Sequence, residues 1–506
     1  MMTKAIMAAL VFAAATPWQA EAKERPNLPT VRAAPPATPA SYPFASAAHQ
    51  AEPLDLARYG YVEEEYLVSG EARVFDWPGA EGLKALAKGG YVTRILVRRP
   101  KTAKRFNGTA IVEPLNPSAD VDLPIMWAES HRQLMADGYA WVGLTIKPNT
   151  IKALKTFDPA RYAAVAMPNP RLHPACPAAA INPFSQPTSP EDETGLAWDM
   201  ISQVGALLKS PASPVGQPAA RLYMTGQSQT AGYARTYATM FGRETIGPNG
   251  RPLYDGYLYS GSPPWQVPLN QCVKDIPAGD PRLLTGPAGA PVIEFFTQGD
   301  MRTNVETRRP DADRAPDLFR RYEVAGGAHI DPWEEASLTS QADDKKAGGR
   351  ATAGEPAGCR PSGVTPTDFP NRYLFNAGWR VLDAWVRRGV PAPKAAPMQL
   401  APGAANLDPD RQFVLDANGN AKGGVRSPAV DTPTARWVGA KSGSFSCLFY
   451  GYKFPFDGPK LKALYGDHAG YLAKVQASAR ALQAARWLTP EDAAEIVREA
   501  KAAKIP

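Results

Sequence analysis

Ser228 lies in Arg221-Leu-Tyr-Met-Thr-Gly-Gln-Ser-Gln-Thr-Ala-Gly-Tyr233, where a short apolar strand runs into a Gly-x-Ser turn and then into a helix-forming stretch. A serine presented in this way can act as a nucleophile: it sits on a strained turn at the top of a sheet, its hydroxyl exposed and a helix N-terminus behind it. Gly226 supplies one of the small neighbours the turn needs. Thr230 stands where a second glycine would complete a Gly-x-Ser-x-Gly pattern, with Ala231 and Gly232 just beyond. A Gly-x-Ser tripeptide is more often an ordinary turn than a catalytic one, so the reading depends on the partners that follow.

A serine hydroxyl is a poor nucleophile until a base takes its proton, and the base must be held in one tautomer by a third group. Pro291-Val-Ile-Glu-Phe-Phe-Thr-Gln-Gly-Asp300 reads as a buried strand ending in Gly-Asp. Phe319-Arg-Arg-Tyr-Glu-Val-Ala-Gly-Gly-Ala-His329 reads as a further strand ending in a glycine-rich loop and a histidine. Ser228, Asp300 and His329 therefore each follow a strand, and in open α/β sheets the working groups gather beyond the carboxyl ends of the strands. Glu294, Glu306 and Asp331 compete for the role of the acid. Glu294 falls inside its strand, where an unpaired carboxylate is costly, so it is expected to have a partner of its own. Asp300 is the better geometric choice, with a solvated turn aspartate as its alternative. A tetrahedral intermediate also needs two N–H donors. Gln229, next to the serine, should give one; the other is expected from Leu115-Asn-Pro-Ser-Ala119, where Pro117 has no N–H and Asn116 or Ser118 must donate.

The elements that must position these residues alternate. Strands are expected over 65–77, 91–98, 109–115 and 139–146, with a helix over 124–136 between the last two. A helix over 195–208 leads to the strand before Ser228, and strands over 254–260, 292–297 and 319–324 and a helix over 372–388 follow. This alternation predicts a mainly parallel sheet of about eight strands with helices on both faces, the serine following the fifth strand. The catalytic domain is expected over 57–396, interrupted at about 147–193 and 331–369 by proline-rich or glycine-rich inserts that are candidates for lids. Residues 23–56, rich in proline and alanine, read as an extended arm. Residues 397–506 read as a C-terminal extension packed on the catalytic domain, helical over 459–502.

Residues 1–22 combine Lys4, the apolar run Ala5 to Ala15 and a small-x-small site at Gln19-Ala-Glu-Ala22, the pattern of a secretory signal peptide. With no later apolar run of spanning length, a periplasmic or secreted protein is expected. The formal charge of +7 is spread along the chain and not gathered in a basic block, which argues against nucleic acid as a partner. Cys176, Cys272, Cys359 and Cys447 are far apart and never form CxxC, and the five histidines show no metal spacing. No metal and no organic cofactor are implied. Disulfides are expected, with Cys272–Cys359 as the favoured pair because both lie in loops leaving one edge of the sheet. His173 and Cys176 are placed either at the mouth of the site or on a surface loop. Trp127, Trp141, Trp198 and Trp265 are expected in the core or on a cleft wall.

The chain resembles the bacterial "alpha/beta hydrolase domain-containing" proteins, a secreted branch of the α/β-hydrolase fold. The resemblance rests on the ensemble of Tyr61-Val-Glu-Glu-Glu-Tyr66, Thr93-Arg-Ile-Leu-Val-Arg-Arg-Pro100, Phe106-Asn-Gly-Thr-Ala-Ile-Val-Glu-Pro-Leu-Asn-Pro117, Gly138-Tyr-Ala-Trp-Val-Gly-Leu144, Ser202-Gln-Val-Gly-Ala206, Gly226-Gln-Ser-Gln-Thr230, Gly423-Gly-Val-Arg426 and Leu464-Tyr465. It implies a serine hydrolase with Ser228 as nucleophile, His329 as base and, by position, Asp300 as acid. Such proteins commonly carry Ser or Gly where this chain has Thr230. The expected activity is cleavage of a small-molecule or oligomeric carboxylic ester through an acyl-enzyme. The same triad would serve an amide, lactone or thioester, and a non-catalytic relative binding an extracellular polymer is the remaining alternative.

Overall fold

The computed structural model describes residues 23–79, 82–170, 189–271, 276, 280–350, 359, 364–404, 407–440 and 445–505. Its centre is a ten-stranded sheet in the order β1-β2-β3-β5-β4-β6-β7-β8-β10-β9. The strands are β1 (Thr30–Ala33), β2 (Tyr61–Gly79), β3 (Gly82–Pro100), β4 (Thr109–Pro114), β5 (Ala140–Leu144), β6 (Arg221–Gln227), β7 (Gly256–Ser260), β8 (Pro291–Thr297), β9 (Ala312–Arg314) and β10 (Asp317–Val324). From β5 to β10 the central strands run parallel, while β1, β2, β3 and β9 pair antiparallel at the two edges. Every residue of β4, β5, β7 and β8 is buried, as expected of parallel strands covered on both faces.

Covering those faces are α1 (Ile125–Ala136), α2 (Pro148–Phe157), α3 (Leu196–Leu208) and α4 (Gln229–Met240). The short helices α5 (Met301–Asn304), α6 (Pro332–Ala336) and α7 (Gln341–Ala347) come before α8 (Arg372–Arg388). The sheet gains two short edge strands that the sequence does not suggest, β1 and β9, and its β2–β3 hairpin is longer than expected because the polar, glycine-containing residues on either side of the turn carry no strand periodicity yet continue the pairing. The hairpin register runs from Tyr61↔Pro100 to Gly79↔Gly82. With β1 counted, Ser228 follows the sixth strand, not the fifth. The insert beginning at residue 147 opens with the ordered helix α2 instead of an irregular loop.

The N-terminal stretch is not a free arm. Tyr42 donates to Asp343 at 2.8 Å and Ser41 to Asp158 at 2.6 Å. The fully buried Arg94 and Arg98 donate to Phe44 O at 3.0 Å and Ala45 O at 2.6 Å. Buried guanidinium groups need such acceptors, and here Glu65 and Asp122 supply the charge for Arg94.

The C-terminal residues add α9 (Pro428–Asp431), a small sheet of β11 (Thr365–Pro366), β13 (Tyr452–Pro455) and β12 (Ala435–Val438), and α10 (Gly458–Tyr465), α11 (His468–Ala484) and α12 (Pro490–Ala502). Helix α12 is tied to α8 by Arg372–Glu495, Arg380–Glu491 and the Asn376–Asp492 hydrogen bonds. Trp127, Trp141 and Trp198 are buried in the core, and Trp265 is half-buried. The Cys359 thiol pairs with Cys447, not with Cys272. The loop argument failed because residues 445–449 fold back toward the same sheet edge, which their distance in sequence conceals. Cys176, Cys272, His173 and the proposed signal segment lie outside the described residues. No helix among the described residues is long and apolar enough to cross a membrane.

Candidate active site

Strand β6 ends at Gln227 and α4 starts at Gln229, so Ser228 makes the turn between them at φ 56° and ψ −122°. Residues with a side chain rarely adopt that conformation, and it persists only where the surroundings enforce it. The Ser228 N–H is held by Ser260 O at 2.9 Å, at the end of β7. Gly226 is required by the same turn, since a Cβ there would lie 2.4 Å from Thr230 O. Buried Thr230 does what a glycine cannot. Its hydroxyl donates to Gln227 O at 3.1 Å and accepts the Gln227 N–H at 3.4 Å, stapling the turn from inside.

Asp300 follows β8 and His329 follows β10, and the two meet with His329 Nδ1 2.5 Å from Asp300 Oδ1. The second carboxylate oxygen accepts the Thr297 N–H at 2.7 Å and the Thr297 hydroxyl at 2.8 Å. Burial alone would raise the Asp300 pKa. The His329 charge, the His329 hydrogen bond and the two from Thr297 outweigh it and hold the carboxyl below its ordinary value. Gly261, at φ +64°, leaves the space this pair occupies: a Cβ there would lie 3.0 Å from His329 Cε1 and 3.1 Å from Asp300 Oδ1.

The other carboxylates are engaged elsewhere. Glu294 accepts from Ser262 at 3.2 Å and Thr285 at 3.4 Å and lies 3.6 Å from Arg321. Asp331 caps α6 and accepts the Asn371 N–H at 3.1 Å, and Glu306 is exposed.

His329 Nε2, the nitrogen that would have to receive a proton, lies 3.3 Å from Gln227 Nε2, and the same amide donates to His329 O at 3.1 Å. Among the described residues no hydrogen bond joins Ser228 to His329; in sites without substrate this bond is often long or unformed. Neither Gln227 nor Gly261 was singled out by sequence. Position next to the serine was the one available signal for Gln227.

Asn116 does not sit as an oxyanion donor should. Its N–H donates to Leu123 O at 2.9 Å in an antiparallel bridge, and its side chain ties Gln227 O at 2.8 Å to the Ser118 N–H, also at 2.8 Å. Asn116 therefore clamps the loop against the serine turn and has no backbone proton to offer. Ser118 reaches the turn with its hydroxyl, donating to Gln229 Oε1 at 3.3 Å. The rest of the loop is fixed from outside by Asn149, bonded to Pro117 O and Asp120, and by Arg350, paired with Asp120 at 2.9 Å. Gln229 opens α4 directly after the serine, so its N–H lies in the first turn of that helix beside the nucleophile.

The C-terminal residues close over the histidine. The Phe449 ring packs 4.9 Å from the His329 ring, Phe449 O accepts the Ile330 N–H at 3.0 Å, and Arg302 reaches Leu448 O at 3.3 Å. The Cys359–Cys447 bond joins this cover to the segment after His329. Beside it lies a cleft of about 200 Å³, between Ile330 and Asp331 on one wall and Tyr450 and Gly451 on the other.

Among solved structures, the chain is loosely similar to a serine hydrolase without a lid from Xanthomonas campestris, at 10% identity and TM-score 0.25 over 52% of this chain and 85% of that one. It is similar to the same degree to an esterase domain from Rhodothermus marinus, at 11% identity and TM-score 0.24 over 53% and 93%. For a dienelactone hydrolase from Anabaena variabilis the figures are 12% and 0.24 over 50% and 84%. No curated protein sequence matches. The profile of the family described as alpha/beta hydrolase domain matches residues 29–498, and on that match, spanning the sheet, the serine turn and the C-terminal helices, the chain belongs to the alpha/beta hydrolase domain family and is a hydrolase by fold.

Proposed function

We propose that the protein is a serine hydrolase that cleaves carboxylic esters, with Ser228 as nucleophile, His329 as general base and Asp300 as the group that orients the base. The observation that carries this reading is the strained Ser228 backbone at the sheet edge where the His329–Asp300 pair is also held. Asp300 on Nδ1 keeps that nitrogen protonated and leaves the Nε2 lone pair to accept a proton. The Gln227 amide, at 3.3 Å, is the group that would yield this lone pair to the serine.

Ser228 Oγ then bonds to the ester carbonyl carbon as its proton passes to Nε2. The oxyanion is held by the Gln229 N–H and, in place of the committed Asn116 N–H, by the Ser118 hydroxyl. When the intermediate collapses, the alcohol leaves with the proton from Nε2 and an acyl-Ser228 remains. Water, activated by the same nitrogen, cleaves it to the acid and restores the serine. The Cys359–Cys447 bond supports an oxidising compartment, consistent with export after cleavage near Ala22.

A fluorophosphonate probe should label the wild-type protein at Ser228 and leave Ser228→Ala unlabelled. The same variant should lose roughly four to six orders of magnitude in turnover of 4-nitrophenyl butyrate without a change in melting temperature. Near-normal hydrolysis by folded Ser228→Ala would end the proposal.

A further inference from the structure

Lys147 follows β5 by three residues and forms the N-cap of α2. It is only 2% exposed, yet among the described residues its ammonium has neither an ion-pair partner nor a hydrogen-bond acceptor. That is an expensive arrangement, since a buried charge is normally paired. The helix makes it worse. An N-cap ordinarily supplies an oxygen to the open N–H groups of the first turn, and acidic side chains ordinarily gather there. Here the cap is a cation, no side chain caps the helix and the first turn holds no acid. Asp120, on the loop that α2 braces, is engaged by Arg350 and Asn149. Burial pulls the ammonium down to about 8. The positive end of helix α2 and the Lys147 side chain thus belong to one residue position, and among the described residues no anion pairs with that lysine.

The place adjoins the candidate active site. Two residues on, Asn149 bonds to Pro117 O at 3.3 Å and Asp120 at 3.1 Å, bracing the loop whose Ser118 hydroxyl meets Gln229 beside the nucleophile. Strand β5 is parallel to β4, and β4 to β6, so Lys147 leaves the same carboxyl edge as Ser228.

We infer that Lys147 and the open first turn of α2 bind a carboxylate carried by the substrate, so that the enzyme is selective for esters bearing a free acid group; this rests on the serine-esterase reading above. A single negative charge suits the site, because one ammonium faces it and Pro148, at the first helical position, brings no N–H.

The test uses the full-length protein and the 4-nitrophenyl half-esters of succinic, glutaric and adipic acid, each against its methyl ester. The readout is the ratio of kcat/KM for acid over methyl ester within each enzyme, which cancels any effect common to both. At least one pair should show a wild-type preference for the acid of roughly ten- to a hundredfold, the range of a charge-assisted contact. Lys147→Met should abolish it, Lys147→Arg should retain part of it, and Lys152→Gln, an exposed lysine on the same helix, should keep it. A wild-type ratio near one for all three acids, or an unchanged ratio in folded Lys147→Met, overturns the inference.

Should Lys147→Met not fold, calorimetric binding to the wild type decides. The monoamides of the three acids should bind and their diamides should not; equal behaviour overturns the inference. Absence of turnover and of fluorophosphonate labelling would count against the esterase reading alone, since the binding comparison needs no reaction.

Discussion

The two sides of the candidate site are built in different ways. The serine side is mainly local: Gly226, Ser228, Gln229 and Thr230 fall within five residues and the turn is stapled by a neighbour's hydroxyl, with Ser260 and Asn116 as its ties from other segments. The histidine side is assembled from afar. Gly261 makes the room, Thr297 holds Asp300, Asp300 holds His329, and Phe449 covers the ring under a disulfide that joins residues 88 apart. A local turn carries its geometry with it wherever the strand and helix form. An assembled pair has its geometry only when every contributing segment has arrived, so substitutions well away from the chemistry should be felt more on the histidine side than on the serine side.

The strongest way to break this comparison is Asp300→Asn. It should keep the fold and the serine turn but leave His329 in the wrong tautomer, a defect worth about four orders of magnitude in turnover in other triads. Its stability should also report on pH. The folded carboxyl is held below its ordinary value. Its contribution is therefore full above the unfolded value of about 3.9 and lost as pH falls through the folded one. Melting curves of wild type and variant should separate at neutral pH and converge in strong acid.

Gly261→Ala comes next. The added methyl group meets His329 Cε1 in a backbone region that favours glycine, and a displacement of about 1 Å at a reacting group can cost ~100-fold in turnover. Fluorophosphonate labelling of folded Gly261→Ala should slow by a comparable factor, because the probe also needs the base; wild-type kinetics would show that the pair tolerates crowding.

A smaller effect is expected from Cys359→Ser with Cys447→Ser. Losing the cross-link should cost about 2–5 kcal/mol of stability. Turnover should fall several-fold as the Phe449 cover loosens, and measuring kcat at temperatures well below the new melting point separates the two effects. Smallest of all should be Glu294→Gln, which weakens the contacts to Ser262, Thr285 and Arg321 and should lower stability by ~1–3 kcal/mol. Its kcat/KM should stay within about threefold of wild type. A loss near that of Asp300→Asn would mean that the base is oriented through Glu294 after all.

The same contrast marks how far the sequence could be read. Apolar runs bounded by glycine placed β6, β8 and β10 to within a residue or two, and the ends of those strands separated Asp300 from Glu294. Local chemistry did not reveal Gly261 or Phe449, because each matters only through a partner dozens or more residues away. The Asn116 N–H was misjudged for a related reason: its bridge to Leu123 is a tertiary contact of the loop with itself. Proline content suggested a loose stretch over residues 23–56, whereas the acceptors needed by buried Arg94 and Arg98 draw part of it into the body of the protein. The β2–β3 hairpin outran its predicted ends because backbone pairing continues where side-chain alternation stops.

The anchoring of that N-terminal stretch has a consequence in time. Tyr42 is made 301 residues before its partner Asp343. At the usual rate of synthesis of about 5–20 residues per second, roughly 15 to 60 s separate the two. The Phe44 and Ala45 carbonyls, by contrast, meet Arg94 and Arg98 after only 50 and 53 residues. The segment around Tyr42 is thus secured in two stages, and between them the tyrosine stays open to a chaperone or a protease.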